Sequence, residues 1–226
     1  YKVLQTPLQG LSDSFGGAIA IALLISLFWW CGIHGATIIG GIMGPILQSN
    51  GLANQEVFNS GAKLVAGQNA AVVTNQFVDQ FITFGGSGLT LGLVCTMLYF
   101  SKSRQYKELG KLSIIPGLFN INEPIIFGFP VVFNPIMAIP FILAPVISAI
   151  MVYVSIATGI VEPFRAISVP WTTPFIISGF LIGGVKAAIL QIAVFSMTVA
   201  VYFPFFKYQD KLAYIEEQKI GTEATV

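Results

Sequence analysis

Two side chains in this sequence, His34 and Glu123, combine proton-transfer or hydrogen-bonding chemistry with apolar surroundings. His34 is the sequence's one histidine and lies in the segment GIHG, whereas Glu123 lies in NINEPIIFG and is the one carboxylate between Lys111 and Glu162. A carboxylate in an apolar setting is costly without a polar partner or a ligand, so we favour a functional role for Glu123 over a purely structural one. For His34, a structural hydrogen bond at a membrane interface and a functional role both stay open.

Neighbouring residues favour a binding site around these two side chains. Asn120 and Asn122 carry amides, which both donate and accept hydrogen bonds and therefore suit sugar hydroxyls. Pro124 lacks a backbone donor and biases Glu123 toward an extended conformation, which places the carboxylate at a break in a helix. Gly35 leaves the neighbouring imidazole accessible. The predicted substrate-binding set is therefore His34, Gly35, Asn120, Asn122 and Glu123.

Other chemistries find little support. Cys31 and Cys95 lie in apolar runs and are interpreted as small buried hydrophobes, so His34 has no second histidine or paired cysteine with which to bind a metal. The sequence contains no Walker A loop, no GxSxG and no HExxH, and we predict neither a self-contained catalytic site nor a cofactor. A net charge of +1 with dispersed basic residues argues against a nucleic-acid partner.

The elements that must position these residues are predicted to be membrane helices. Hydrophobic residues form 55% of the chain and charged residues 9%, with a mean hydropathy of +0.80. A charge at mid-bilayer costs about 2.5 to 3.5 kcal/mol, so charge-free windows mark candidate spans. Trp29 and Trp30 are interpreted as interfacial anchors of the first span, at about 15–31. The predicted fold is an all-α polytopic membrane protein with about four transmembrane helices, at about 15–31, 86–100, 135–160 and 187–206.

Shorter apolar stretches, interrupted by glycine and proline, are predicted to be two re-entrant hairpins, at about 34–47 and 113–133. An alternating stretch at 71–84 predicts a possible short β-hairpin in an extramembrane connector. The basic cluster at 102–111 indicates the cytoplasmic side, which makes the tail at 207–226 cytoplasmic as well.

One further charged pair is interpreted structurally. Glu162 and Arg165 are three residues apart, and a salt bridge at a span boundary is favoured over a functional role.

Three motifs, in the same order along the chain, resemble one known family. INEPIIFGFP begins at Ile121, GIHG at Gly32, and VPWTTPFIISGFL at Val169. Together they resemble the IIC sugar permeases of the bacterial phosphotransferase system (PTS), in the branch for lactose, cellobiose and diacetylchitobiose. The resemblance covers essentially the whole chain as the C-terminal half of such a permease, so residues 1–226 are predicted to be part of a single IIC domain.

The resemblance implies a multi-pass protein of the bacterial cytoplasmic membrane, dimeric when full-length, that binds and translocates a disaccharide. The family's site histidine and glutamate carry over onto His34 and Glu123, with the glutamate hydrogen-bonded to a sugar hydroxyl. A IIB protein, itself phosphorylated, would donate the phosphoryl group. From the residues alone, a proton-coupled secondary transporter of a small polar solute stays open, as does a fragment that serves only in assembly.

Overall fold

The computed structural model of the protein describes residue 10 and residues 12–223, and helices form most of this part of the chain. The prediction of a mostly helical fold is therefore confirmed. A π-helical turn, Val78–Ile82, directly follows the short helix Asn75–Phe77. The helices from residue 15 onward are α1 (Phe15–Trp30), α2 (Gly35–Asn59), α3 (Asn75–Phe77), α4 (Leu91–Phe100), α5 (Arg104–Leu118), α6 (Glu123–Gly128), α7 (Pro135–Ala157) and α8 (Ile177–Glu223).

Local sequence signals explain where α1 and α7 begin. Ser14 caps α1 by accepting a hydrogen bond from the Gly17 amide, and Asn134 caps α7 in the same way. Pro135 then occupies the first turn of α7, where its missing amide proton costs nothing. The two helices pack together, and the indole Nε1 of Trp30 donates to the Asn134 carbonyl at 3.1 Å. This contact joins the end of α1 to the start of α7.

The predicted re-entrant hairpin at 34–47 is wrong, because this segment is the first half of the continuous helix α2. The chain reverses one turn earlier, between α1 and α2. Gly35 allows this reversal, since a Cβ at that position would collide with the backbone carbonyl of Ile25 in α1. Pro45 lies inside α2 without ending it. Gly35 therefore serves close packing of α2 against α1, whereas a Cβ at Gly40, Gly41 or Gly44 would meet no atom within 4 Å.

The predicted β-hairpin at 71–84 is also wrong, because the segment holds α3 and the π-helical turn. Its backbone amides bond to distant side chains and not to a second strand. The carboxylate of Asp13 accepts from the amides of Val72 and Val73 at 2.7 Å each, and Asn54 accepts from the amide of Ala71. These side chains replace the partner strand that a hairpin requires.

The predicted span at 86–100 contains a helix, α4, of ten residues. At 1.5 Å per residue it is about 15 Å long, roughly half the hydrocarbon thickness of a bilayer. Before it lies a loop whose backbone is left-handed at Gly85, Gly86 and Gly88. The phenol of Tyr202 in α8 donates to the Gly88 carbonyl at 2.7 Å and holds this loop in the core.

The segment 113–133, predicted as the second hairpin, does reverse direction. It contains the end of α5, a turn, and the short helix α6, which packs back against α5. Whether this reversal enters a membrane stays a prediction. Among the described helices, two are long and apolar enough to cross a membrane: Pro135–Ala157 and the stretch Ile177–Ile220. The second of these is interrupted at Gly183 and Gly184, where the backbone is not helical.

The tail predicted at 207–226 continues α8 as far as Glu223, beyond which it lies outside the described residues, and it fixes the start of α5. Asp210 is 1% exposed, and its carboxylate accepts from the amides of Lys102 and Ser103 at 2.9 and 3.0 Å. The hydroxyl of Ser101 donates to it at 2.6 Å. A buried carboxylate is stable here because backbone donors satisfy it. Since α5 leads directly to Asn120 and Glu123, this contact helps to position the candidate site.

The predicted salt bridge between Glu162 and Arg165 does not form within the described chain, where the one ion pair joins Lys111 and Glu108. The guanidinium of Arg165 instead lies 3.9 Å from the ring centroid of Phe58, a cation–π contact. The loop carrying Arg165 lies beside the end of α2, and this tertiary neighbour explains the difference.

Candidate functional site

A cavity of about 470 Å³ opens where four separate segments meet, and its size lies within the range of small-molecule sites. The four segments are the α1–α2 turn, the region after α3, the α5–α6 turn, and the irregular chain before α8. Its wall combines two indole rings, an imidazole, two carboxylates and several neutral polar groups. The polar and aromatic side chains of this wall are Trp29, His34, Thr37, Asp79, Thr83, Ser87, Asn120, Asn122, Glu123 and Trp171.

His34 and Glu123 line this same cavity, as predicted from their sequence context. The imidazole caps the start of α2, with Nδ1 accepting from the backbone amide of Thr37 at 3.2 Å. A backbone amide can only donate, so Nδ1 carries no proton in this bond, and the proton of the neutral ring lies on Nε2. The structure thus presents His34 as a hydrogen-bond donor with a fixed orientation.

Two tryptophans give the cavity its apolar walls, and the sequence interpretation assigned neither to the site. The Trp29 ring centroid lies 4.4 Å from that of His34, at an interplanar angle of 49°. Trp171 is 60% exposed and lines the same cavity, and its backbone carbonyl accepts a hydrogen bond from Asn120. The motif VPWTTP contained Trp171, but its position at the cavity depends on a contact across 51 residues.

Asn120 lines the cavity, but its side-chain amide is used at both ends by hydrogen bonds to other parts of the chain. Its Oδ1 accepts from the Gly85 amide at 2.6 Å, and its Nδ2 donates to the carbonyls of Trp171 and Thr173. The amide has no free donor left. The expectation that Asn120 supplies a donor to sugar hydroxyls therefore conflicts with the observed bonds. Asn120 instead joins three loops at the cavity wall.

Asn122 keeps one half of its amide available. Its Nδ2 donates to the Ser87 carbonyl at 2.8 Å and to the Thr90 hydroxyl at 3.0 Å. Its Oδ1 has no hydrogen-bond partner among the described residues and is not enclosed. A Cβ on Gly86 would collide with this side chain, so the glycine is needed for the close contact. Asn122 can offer the cavity one acceptor.

Glu123 begins α6 and is exposed, with no ion pair in the described part of the chain. Neither Arg165 nor Lys186 is its partner. The carboxylate is thus available as an acceptor at the cavity.

Gly35, in contrast, is buried against Ile25 and is absent from the cavity wall, so its role is to bring α2 close to α1.

Asp79 is a charged site residue that the sequence interpretation also missed, because the segment around it was interpreted as a connector outside the membrane spans. It lies in the π-helical turn, a geometry frequent at functional sites. Its exposed surface opens onto the cavity, while protein surrounds its other sides. This burial raises the pKa of Asp79 from 3.8 to about 6.

The raised pKa of Asp79 predicts a pH-dependent stability. Between about pH 4 and pH 6 the folded protein keeps a proton that the unfolded chain releases. The stability that this proton on Asp79 contributes is therefore fully present below about pH 4 and is lost as the pH rises through about 6. We expect Asp79→Asn to reduce this fall, and melting temperatures from pH 4 to 7 measure it. Glu56→Gln, at an exposed position on α2, is the control, and equal slopes for the parent and Asp79→Asn would contradict the prediction.

A mostly helical fold with membrane-length helices and a polar cavity between interrupted segments is typical of membrane transport proteins. Comparison with known families makes the assignment specific. Residues 2–145 match the family described as "Phosphotransferase system, EIIC", and the chain belongs to this family.

Individual relatives support the same family assignment. The chain is 48% identical over 220 residues to the "PTS system cellobiose-specific EIIC component" of Geobacillus stearothermophilus, covering 96% of this chain and 48% of that protein. It is 46% identical, with the same coverage, to the "Putative permease IIC component YwbA" of Bacillus subtilis (strain 168). The crystal structure of ChbC, the IIC component of an N,N'-diacetylchitobiose-specific phosphotransferase system, superposes with a TM-score of 0.90 and 44% identity, over 96% of this chain and 50% of that one. The chain spans about half the length of the relatives it matches.

Proposed function

We propose that this chain forms the substrate-binding half of a permease that binds and translocates a disaccharide of the cellobiose, lactose or diacetylchitobiose type. One observation carries the proposal: a single cavity gathers Trp29, His34, Glu123 and Trp171 from segments far apart in the sequence. Aromatic walls with a few convergent polar groups suit a sugar, which has apolar faces and hydroxyl edges. The names of the relatives supply the sugar class.

The polar groups of the cavity divide into donors and acceptors. His34 donates through Nε2, because Nδ1 is held by Thr37. Glu123 and the Oδ1 of Asn122 accept. A hydroxyl both donates and accepts, so neighbouring hydroxyls of one ring can satisfy all three groups. The indoles of Trp29 and Trp171 would contact the ring faces.

Phosphorylation requires a partner, since the site described here holds no phosphoryl donor. We propose that a phosphorylated IIB component reaches the bound sugar from the cytoplasmic side. The hydroxyl oxygen of the sugar forms the bond to phosphorus, the bond between phosphorus and the IIB residue breaks with its electron pair on that residue, and the hydroxyl proton passes to the IIB group that leaves. Glu123, as an acceptor at the cavity, is the group that would bind that hydroxyl. The family assignment supports the partner.

The setting of the complete permease follows from the same assignment. We propose a multi-pass protein of the bacterial cytoplasmic membrane that forms a homodimer. The two membrane-length helices and the exposed apolar side chains along them support insertion into a bilayer.

Calorimetry on the complete permease in detergent tests the proposal. We expect saturable binding of cellobiose, lactose or diacetylchitobiose, and no binding of maltose, whose glucose units are α-linked. Sugar uptake with phosphorylation, upon addition of the phosphorylated IIB component, tests the proposed translocation and phosphoryl transfer. If none of the three β-linked sugars binds, the proposed function is wrong.

A proton-coupled secondary transporter is the second candidate, and the raised pKa of Asp79 is the observation that favours it. The two candidates differ in their energy source. Dissipating the proton gradient of vesicles should abolish uptake by a symporter and spare a phosphoryl-driven system. Uptake that survives this treatment and requires phosphorylated IIB would exclude the symporter.

A further inference from the structure

A cavity of about 430 Å³ lies between the loop before α5 and the final part of α8, and it shares no residue with the candidate site. We call it the basic cavity. Its wall consists of three lysines, one aspartate, one tyrosine and one isoleucine: Lys102, Lys207, Asp210, Lys211, Tyr214 and Ile215. A cleft that carries mostly one sign of charge focuses its field on an ion of the opposite sign.

The carboxylate in this wall is bonded to backbone donors and is not the partner of a lysine. Asp210 accepts from two backbone amides and one hydroxyl in the segment that leads into α5. Glu217, two turns further along α8, likewise accepts from one hydroxyl and two backbone amides of that segment. Within the described part of the chain, none of Lys102, Lys207 and Lys211 forms an ion pair. Three ammonium groups therefore line the basic cavity without a paired anion.

The ammonium groups of the basic cavity keep most of their hydrogen-bond donors available. Lys207 and Lys211 are four residues apart on α8, so they lie on one face of the helix. The ammonium of Lys207 donates to the Phe100 carbonyl at 2.9 Å and keeps its other donors. The side chains of Lys102 and Lys211 make no hydrogen bond to the described residues. These donors can bind the oxygen atoms of an anion.

Exposed aromatic side chains continue from the basic cavity along α4 and α8. Phe203 lies one turn before Lys207, and its ring centroid is 5.9 Å from the Lys207 ammonium. Phe100 packs edge-to-face against Phe203 at 5.2 Å, and both rings are exposed. Tyr99, its neighbour in α4, is 79% exposed. Aromatic rings beside lysines are typical of the boundary between the hydrocarbon core of a bilayer and its headgroups. In the proposed membrane setting, the cavity therefore lies at the depth of the headgroups.

We propose that the basic cavity binds the phosphate headgroup of an anionic phospholipid from the cytoplasmic leaflet. The inference rests on the proposed membrane setting and is independent of the sugar. The basic cluster at 102–111 indicates the cytoplasmic side. Lysine ammonium groups bind phosphate oxygens, and basic pockets between membrane helices on this side bind anionic headgroups.

The exposed rings beside the cavity favour a lipid over a water-soluble phosphate. The acyl chains of a phospholipid would lie along Phe100 and Phe203, while its phosphate contacts the lysines. A soluble phosphate would occupy the charged part alone and leave these rings exposed. A lipid therefore matches both parts of the surface.

Native mass spectrometry of the complete permease in a neutral detergent tests this inference. The probes are phosphatidylglycerol, which is anionic, and phosphatidylcholine, which is zwitterionic. We expect the parent to prefer phosphatidylglycerol. The double variant Lys102→Gln, Lys211→Gln should bind phosphatidylglycerol about 20-fold more weakly, which is the effect of two lysine contacts at a membrane surface. Its affinity for phosphatidylcholine should change less than about twofold.

The matched control removes the same charge outside the cavity. It is the double variant Lys107→Gln, Lys219→Gln, at exposed positions of α5 and α8. We expect the control to bind phosphatidylglycerol within about twofold of the parent. Both double variants should keep the melting temperature and the disaccharide affinity of the parent, because the side chains they replace have no ion pair among the described residues and lie outside the site cavity.

The outcomes separate the lipid from other occupants. Equal affinity of the parent for the two lipids, or an equal loss in both double variants, would overturn the basic cavity as a lipid site. Displacement of phosphatidylglycerol by inorganic phosphate at the same concentration would assign the cavity to a soluble phosphate and overturn the lipid. Unchanged lipid binding together with lost phosphorylation by IIB would overturn it in favour of a protein partner. Failure of the parent to bind a disaccharide, with selective phosphatidylglycerol binding intact, would refute the proposed function and support the lipid site.

Discussion

Asn120→Ala is expected to lower the free energy of unfolding by about 3 kcal/mol and to abolish measurable sugar binding. Asn120 is 8% exposed, and the substitution leaves the Gly85 amide and the Trp171 and Thr173 carbonyls without their partner. Each buried group left unpaired costs about 1 to 3 kcal/mol, reduced where water reaches it. The backbone φ of 66° adds a penalty, because asparagine tolerates the left-handed region better than alanine does.

Binding should fail together with stability because Asn120 fixes the position of Trp171 at the cavity. Thermal unfolding and calorimetry on the same preparation measure both effects. Asn59→Ala is the matched control, since Asn59 is exposed at the end of α2 and accepts one hydrogen bond from Gln55. Asn120→Asp adds a second test, because it keeps the acceptor for Gly85 and turns an oxygen toward two carbonyls. An unchanged melting temperature for Asn120→Ala would show that these bonds do not hold the loops.

Glu123→Gln is expected to weaken disaccharide binding about tenfold while leaving the melting temperature within about 2 °C of the parent. The side chain keeps its shape and loses its charge. A hydrogen bond to a charged acceptor contributes about 1.5 to 3 kcal/mol, against about 1 for a neutral one, and the difference corresponds to roughly one order of magnitude. Stability should be unaffected, because Glu123 is exposed and has no ion pair among the described residues.

The opposite pattern would contradict the assignment of Glu123. If the carboxylate were the buried partner of a cation, its neutralisation would strand that charge and cost about 3 to 5 kcal/mol of stability. Unchanged sugar affinity with a collapsed melting temperature would identify that case. Glu108→Gln is the control, since Glu108 is exposed on α5 and pairs with Lys111 away from the cavity.

Several features could be predicted from the sequence because their causes are local. Ser14, Asn134 and Pro135 mark helix starts through contacts within three residues. The charge-free window before Glu162 contains α7, and the prolines and asparagines around Glu123 mark the turn between α5 and α6. His34 and Glu123 were assigned to one substrate-binding set because each is an isolated polar group in apolar surroundings and lies in a motif of the permease family, and both line the same cavity.

Other features depended on partners that no local pattern reveals. The alternation at 71–84 is typical of a strand, yet Asp13 and Asn54 take up its backbone amides from 17 to 60 residues away. The glycines after His34 are typical of a broken segment, yet Gly35 serves close contact with Ile25. Whether the Asn120 amide is free to bind a ligand could not be judged from its own motif, because its three partners lie in two distant loops.

The sequence by itself determined the chemistry available to this protein: an apolar helical chain with one histidine, one isolated carboxylate near a helix break, and motifs of a sugar permease. The tertiary structure decided which of those groups are free to bind. The Asn120 amide is used by hydrogen bonds within the fold, while Asp79, Trp29 and Trp171 are brought to the cavity. The physical reason is that hydropathy and helix capping act over a few residues, whereas the hydrogen bonds that occupy or release a side chain form between segments brought together only by folding.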